Sequence, residues 1–108
     1  MQQHGHLNEA KILYLELLES IPDHPDSLHF LGLIYFQQGN IDKAKQLFEK
    51  SIKLNKNPTY LANYALLTQH QKDYKKTIKL LNNAIKIDKN YVGAWFNLGC
   101  VYNEIGDK

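Results

Sequence analysis

One short pattern of residues recurs along this chain at intervals of 33 or 34 residues. Each copy holds a large residue, an apolar or aromatic residue three positions later, a small residue directly after it, and a polar or aromatic residue three positions further on. The copies are Leu28-Leu31-Gly32-Tyr35, Leu61-Tyr64-Ala65-Thr68 and Trp95-Leu98-Gly99-Tyr102. A fixed period of this length predicts one supersecondary unit that is stacked several times.

A second pattern follows the first in each period and keeps the same phase. It is a small residue with a large apolar residue four positions later, as in Ala44 and Phe48. Its other copies are Ala10-Tyr14 and Thr77-Leu81. Residues four positions apart lie on the same face of a helix, so the second pattern predicts a second helix in each unit. The small residues of the two patterns are where the two helices are expected to meet.

Apolar residues recur at steps of three and four between these landmarks, which predicts an all-α fold of about six helices. Gly39-Asn40 and Lys72-Asp73 occupy the same turn position, with Asn40 and Asp73 as N-caps. His24-Pro25 and Asn57-Pro58 each read as an N-cap followed by proline in the first turn. The predicted helices are 6–20, 25–38, 41–55, 58–71, 74–88 and 91–105.

The order of these residues resembles the tetratricopeptide repeat, a helix-turn-helix unit with a Trp-x-x-Leu-Gly-x-x-Tyr stretch followed by Ala-x-x-x-Phe. Trp95 to Tyr102 matches that stretch literally, whereas Ala65 and Thr77 depart from it in the weaker copy. The resemblance implies a right-handed α-solenoid of antiparallel helix pairs, with Gly32, Ala65 and Gly99 at close helix contacts. One array would then span 1–108, as a partial repeat 1–24, full repeats 25–57 and 58–91, and a partial repeat 92–108. We expect it to be a fragment of a longer protein.

Composition and motifs argue against catalysis and against charged ligands. The net charge is +2 and all 13 basic residues are lysine, so the guanidinium fork that recognises phosphate is missing. Cys100 is the only cysteine, and the sequence has neither a glycine-rich phosphate loop nor a zinc-binding helix motif. We therefore expect no catalytic residue, cofactor, metal, nucleic acid or membrane partner, and a cytoplasmic location.

The resemblance implies that the first helix of each repeat lines a concave groove that binds a peptide or protein segment. The candidate groove residues are His29, Phe30, Leu33, Phe36, Gln37, Asn63, Leu66, Gln69, His70, Phe96, Asn97 and Asn103. The other lining positions are Asp26, Thr59, Ala62, Gly93, Cys100 and Glu104. None is lysine, so the cationic clamp with which co-chaperone members of the family hold a terminal carboxylate is missing. Lysines cluster on the second helices, where we expect a solvated convex surface: Lys43, Lys45, Lys50, Lys53, Lys75, Lys76 and Lys79.

Asn63 and Asn97 occupy the same repeat position, 34 residues apart. A side-chain amide offers both a donor and an acceptor, so such a pair can bind a peptide backbone. It resembles the asparagine ladder in the repeat arm of O-linked N-acetylglucosamine transferase; the alternative is a solvated polar position. Phe30 interrupts the ladder in the earlier repeat, where it could serve with Phe36 as an apolar anchor.

The opening repeats, around 5–10 and 22–32, resemble those of bacterial tetratricopeptide proteins, many of which continue into a glycosyltransferase domain of the O-linked N-acetylglucosamine transferase type. Three functions therefore stay open: a protein-binding module, the substrate-recruiting arm of an enzyme, and a self-association module.

Self-association would use the two terminal half-repeats. Gly5 and Gly106 occupy the same turn position, so the end of one copy is in phase with the start of another. We expect apolar surface to stay uncovered at both ends and copies to associate head to tail. The residues expected to be uncovered are Ala10, Tyr14, Leu17, Leu98, Tyr102 and Ile105.

Overall fold

The computed structural model describes the backbone of residues 2–106 and the side chains of residues 6–106. The described residues form six helices and no strand, which confirms the predicted all-α fold. The helices are α1 Gln2–Ser20, α2 Pro25–Gln37, α3 Ile41–Leu54, α4 Pro58–His70, α5 Tyr74–Ile87 and α6 Val92–Gly106. None of them is both long and apolar enough to cross a membrane.

The predicted N-caps are confirmed. The side chains of Asn40 and Asp73 accept hydrogen bonds from the backbone amides of Lys43 and Lys76, at 3.4 and 3.3 Å. Each of these bonds satisfies an amide that the first helical turn leaves without a partner.

The proline-containing helix starts are confirmed as well. Asn57 Oδ1 accepts from the amide of Thr59 at 2.8 Å, and His24 Nδ1 accepts from the amide of Ser27 at 3.1 Å. Proline follows each cap at the first helical position, where its missing amide hydrogen breaks no intrahelical bond.

The first helix is longer than predicted. It begins at Gln2, so Gly5 lies inside a helix, and the turn position proposed for it is wrong. A glycine within a helix is tolerated at a cost of roughly 0.5–1 kcal/mol, so a single glycine does not end one.

The chain forms two compact units, an N-terminal unit Met1–Asn55 and a C-terminal unit Lys56–Lys108. In the N-terminal unit, α2 packs on both α1 and α3. Gly32 fits against the buried ring of Phe48: a Cβ atom on Gly32 would lie 2.9 Å from two ring carbons. This confirms the close helix contact expected at Gly32.

In the C-terminal unit, α4 and α6 both pack on α5, and α4 also contacts α6. Tyr64 and Leu81 are fully buried. The buried Oγ1 atoms of Thr68 and Thr77 lie 2.6 Å apart, so a hydrogen bond joins α4 to α5. At Gly99 the expected close contact is absent, because no described atom lies within 4 Å of where its Cβ would be.

On the terminal helices, only some of the residues that were expected to be uncovered are exposed. Tyr102, Ile105 and Leu17 are exposed. Leu98 is only 8% exposed, so the prediction that it is uncovered is wrong: its position on α6 faces the rest of the C-terminal unit. Tyr14 is half-buried. Head-to-tail association itself stays a prediction, which mass measured against protein concentration would test.

Candidate functional site

The C-terminal unit brings two first helices of the repeat side by side, α4 and α6. Gln69 on α4 donates through Nε2 to Glu104 Oε1 on α6, at 2.9 Å. Both residues are lining positions predicted from the sequence, so this hydrogen bond places the predicted faces of the two helices next to each other.

The two asparagines lie on this pair of helices, Asn63 on α4 and Asn97 on α6, and each is half-buried. Leu66 on α4 and Phe96 on α6 are exposed, and Phe96 keeps 69% of its surface in solvent. Exposed apolar side chains and half-buried side-chain amides therefore occur together on these two helices, and we call the surface that they present the α4–α6 face.

The other predicted positions on these helices differ in accessibility. His70, Asn103, Thr59 and Gly93 are exposed, and Cys100 is half-buried. Ala62 is buried, so it contributes to packing and not to a binding surface.

In the N-terminal unit the predicted lining residues all lie on α2. The ring of Phe30 stacks on that of Tyr14 from α1, with centroids 6.0 Å apart and planes at 22°. Phe30 nevertheless stays 42% exposed. Leu33 and Phe36 are half-buried and Gln37 is exposed. Phe30 and Leu33 are thus available as apolar contacts on this helix.

His29 is the exception among the predicted residues, since it is only 1% exposed. Its ring lies 5.3 Å from that of Phe30 and 5.6 Å from that of Phe48. Burial lowers the pKa of His29 from 6.5 to about 4, against a smaller opposing effect of the Asp26 carboxylate. His29 is therefore a neutral core residue and does not line a surface.

Two contacts were not anticipated. Tyr14, which the sequence places in the second repeat pattern, stacks its ring on that of the candidate anchor Phe30. Trp95 is 52% exposed and donates from Nε1 to the backbone oxygen of Lys89 at 2.8 Å. Neither contact had a sequence signal, because each depends on which residues of neighbouring segments meet in space.

The α4–α6 face carries few charged groups. Helices α4 and α6 contain no lysine, and Glu104 is the one charged side chain between them apart from the titratable His70. Among residues 6–106, no group of three His, Cys, Asp or Glu side chains is placed to hold a metal ion. Amides and exposed apolar groups can bind a polypeptide through hydrogen bonds and burial.

Comparison with known families gives two matches, both to models described as tetratricopeptide repeat. They cover residues 25–58 and 80–108, together more than half of the chain. The first of these contains the α2–α3 pair, and the second contains α6.

Among curated proteins, the probable UDP-N-acetylglucosamine–peptide N-acetylglucosaminyltransferase SPINDLY of Hordeum vulgare is 26% identical over 107 residues. The match covers 90% of this chain and 11% of SPINDLY. The protein bimA of Emericella nidulans is 24% identical, with 92% of this chain and 13% of bimA covered. The chain thus spans about a tenth of the length of the curated relatives it matches.

Solved structures share the fold. The first tetratricopeptide domain of Spaghetti, bound to the HSP90 peptide SRMEEVD, superposes with a TM-score of 0.87 at 14% identity, over 96% of this chain and 83% of that one. The O-GlcNAc transferase of Thermobaculum terrenum superposes with a TM-score of 0.84 at 23% identity, over 93% of this chain and 19% of that one.

Proposed function

Because this chain belongs to the tetratricopeptide repeat family, we propose that it is a protein-interaction module whose α4–α6 face binds an extended segment of a partner protein. The observation that carries the proposal is the adjacency of the two first helices, which the Gln69–Glu104 hydrogen bond links. Asn63 and Asn97 lie at equivalent positions on these helices.

The amides of Asn63 and Asn97 would hydrogen-bond the backbone of the partner, while Leu66 and Phe96 would bury its apolar side chains. Backbone recognition tolerates many sequences, so specificity would come from the apolar contacts. The solved structure of the fold neighbour Spaghetti holds a peptide, which supports the class of ligand. Because α4 and α6 contain no lysine, we expect an internal segment of a partner and not a terminal carboxylate.

The test uses short synthetic peptides that are blocked at both ends and selected for binding to the full chain. NMR then identifies those peptides whose binding site lies on α4 and α6. Asn63→Ala with Asn97→Ala should weaken their binding by about tenfold, since each hydrogen bond contributes ~0.5–1.5 kcal/mol. Asn82→Ala with Asn83→Ala is the matched control: both residues are exposed on α5, and the affinity should not change. Unchanged affinity of the Asn63 and Asn97 variant for a peptide mapped to this face would contradict the proposal.

A second function is favoured by the similarity to SPINDLY and to the Thermobaculum terrenum enzyme. In that case the repeats recruit protein substrates for a glycosyltransferase that belongs to the same polypeptide or to a partner. The test is sugar transfer by the full gene product from a UDP-sugar donor. Asn63→Ala with Asn97→Ala should reduce transfer to intact protein acceptors and leave hydrolysis of the donor unchanged. An equal effect on both reactions would argue against recruitment.

A further inference from the structure

A cavity of about 300 Å³ lies in the N-terminal unit, and none of the predicted groove residues of α2 lines it. Its apolar wall includes Leu28 and Leu31 of α2, which are almost completely buried, together with Leu15 of α1 and Leu47 of α3. The cavity therefore lies where α1 and α3 flank α2, and we call it the α1–α3 cleft. Its volume is at the lower end of the roughly 300–1,000 Å³ found for ligand pockets.

The rim of the α1–α3 cleft is cationic. Lys43 and Lys50, both on α3 and both exposed, line it, and no acidic residue lines it within the described part of the chain. The Lys43 ammonium lies 5.4 Å from the ring centroid of Tyr35, and the Lys11 ammonium from α1 lies 5.1 Å from the same centroid. Each ammonium is attracted to the ring, which does not neutralise its positive charge. An anion bound at the rim can therefore pair with Lys43.

The second-helix lysines were expected to form a solvated convex surface, and the α1–α3 cleft changes that interpretation. Lys43 and Lys50 are seven residues apart, which places them about 10 Å apart on the same face of α3, with Leu47 between them. The pattern is positive, apolar, positive. A complementary ligand carries two negative charges about 10 Å apart with an apolar group between them.

We propose that the α1–α3 cleft binds an acidic amphipathic segment of a partner protein. An apolar side chain of that segment enters the cavity against Leu28 and Leu31, and flanking carboxylates pair with Lys43 and Lys50. Nucleic acid fits less well, because this chain has no arginine and the cavity that must be filled is apolar. The α1–α3 cleft and the α4–α6 face have no residue in common, so each proposal can be tested independently of the other.

An array of synthetic peptides with blocked ends tests the proposal. In each peptide two glutamates flank one large apolar residue, and the spacing varies. The best binders should have one glutamate two positions before the apolar residue and the other two positions after it. All three side chains then share one face of an extended chain over ~13 Å, within reach of the long lysine side chains. Replacing their glutamates with glutamine, or the apolar residue with serine, should abolish measurable binding.

Variants of the protein assign the binding to the cleft. Lys43→Glu with Lys50→Glu should lower the affinity by at least about tenfold, as measured by fluorescence polarisation. Lys75→Glu with Lys79→Glu makes the same charge change at exposed positions on α5 and should alter the affinity less than about twofold. Leu15→Ser tests the apolar wall without a charge change, and far-UV circular dichroism verifies that each variant is folded.

Three results would overturn the proposal. One is that no peptide of the array binds. Another is that both pairs of lysine variants weaken binding equally, which indicates a general charge effect. The third is that vesicles containing phosphatidylserine bind through Lys43 and Lys50 while the peptides do not, which would assign the cleft to a membrane surface.

Discussion

The helix pairs α2–α3 and α4–α5 follow the same repeat register, yet they fill their contacts with different residues. In α2–α3, Gly32 leaves room for the ring of Phe48, which is completely buried. At the equivalent positions α4–α5 has Ala65 and Leu81, so a larger residue on one helix is matched by a smaller one on the other. Across these two helix pairs the combined size of the two contacting side chains is kept, although the residue at each position changes.

A second set of equivalent positions in the two helix pairs shows the same compensation in size and also introduces polar side chains. Tyr35 and Ala44 in the first pair correspond to Thr68 and Thr77 in the second. Two medium-sized side chains replace a large and a small one, and their hydroxyls lie 2.6 Å apart. Each hydroxyl also lies within hydrogen-bond distance of a backbone oxygen of its own helix, that of Ala65 for Thr68 and that of Asp73 for Thr77. The buried polar groups of this contact are therefore all hydrogen-bonded.

The largest expected effect comes from filling the space at Gly32. Gly32→Leu places a side chain against the Phe48 ring, which has no room to move in a packed core, and we expect a loss of about 3 kcal/mol or more in the free energy of unfolding. Urea denaturation measures it. Gly99→Leu is the control, because no described atom lies within 4 Å of its Cβ position, and it should be neutral or stabilising.

Replacing residues of the first helix pair with those of the second tests whether the two contacts are equivalent. Gly32→Ala alone should destabilise the chain, whereas Gly32→Ala with Phe48→Leu copies Ala65 and Leu81. The two changes should then be coupled by ~0.5–3 kcal/mol, because the smaller side chain accepts the added methyl group. Additive effects in this double-mutant cycle would show that the two pairs are not interchangeable.

The next effect in size is the pH dependence that His29 confers on the N-terminal unit. Its pKa is lowered to about 4 from 6.5, so between these values the unfolded chain binds more protons than the folded one. The unfolding free energy should therefore be highest above pH 6.5 and fall as the pH decreases toward 4, by up to ~3 kcal/mol. The equivalent residue in the second pair, Ala62, cannot titrate.

NMR titration of the His29 ring measures that pKa directly, and urea denaturation across the same pH range measures its consequence. His29→Leu should flatten the pH profile of stability, while His70→Gln, which alters an exposed residue, should not. A midpoint for His29 at or above 6.5 would contradict the expected neutral, buried state.

The smallest expected effect is that of the threonine pair. Thr77→Val should cost about 1 kcal/mol, since it removes the hydrogen bond to Thr68 and places a methyl group against the Thr68 hydroxyl, which keeps its bond to the Ala65 carbonyl. Thr68→Val with Thr77→Val should cost less than the sum of the single changes, because both single changes remove the same shared hydrogen bond. Thr59→Val, at an exposed position, is the control. Strictly additive losses would argue against a mutually satisfied pair.

Parts of the candidate site could be predicted from the sequence, and parts could not. The repeat period placed Asn63 and Asn97 on equivalent helices, because helix position follows from register. Accessibility was harder: His29 and Ala62 share a repeat position that was expected to line a groove, yet both are buried. Periodicity identifies the face of a helix, but the depth of a residue within that face depends on the size of its neighbours.

The amino-acid sequence was enough to predict the six helices, their N-caps and their repeat register. These features depend on local hydrogen bonding and on a hydrophobic period along the chain. The sequence also shows that every basic residue apart from histidine is lysine. The tertiary structure was needed to show that Gly32 accommodates Phe48, that burial keeps His29 neutral, and that two lysines of α3 border an apolar cavity. These properties arise between helices, where distances depend on how side chains of different sizes pack, and no single helix encodes them.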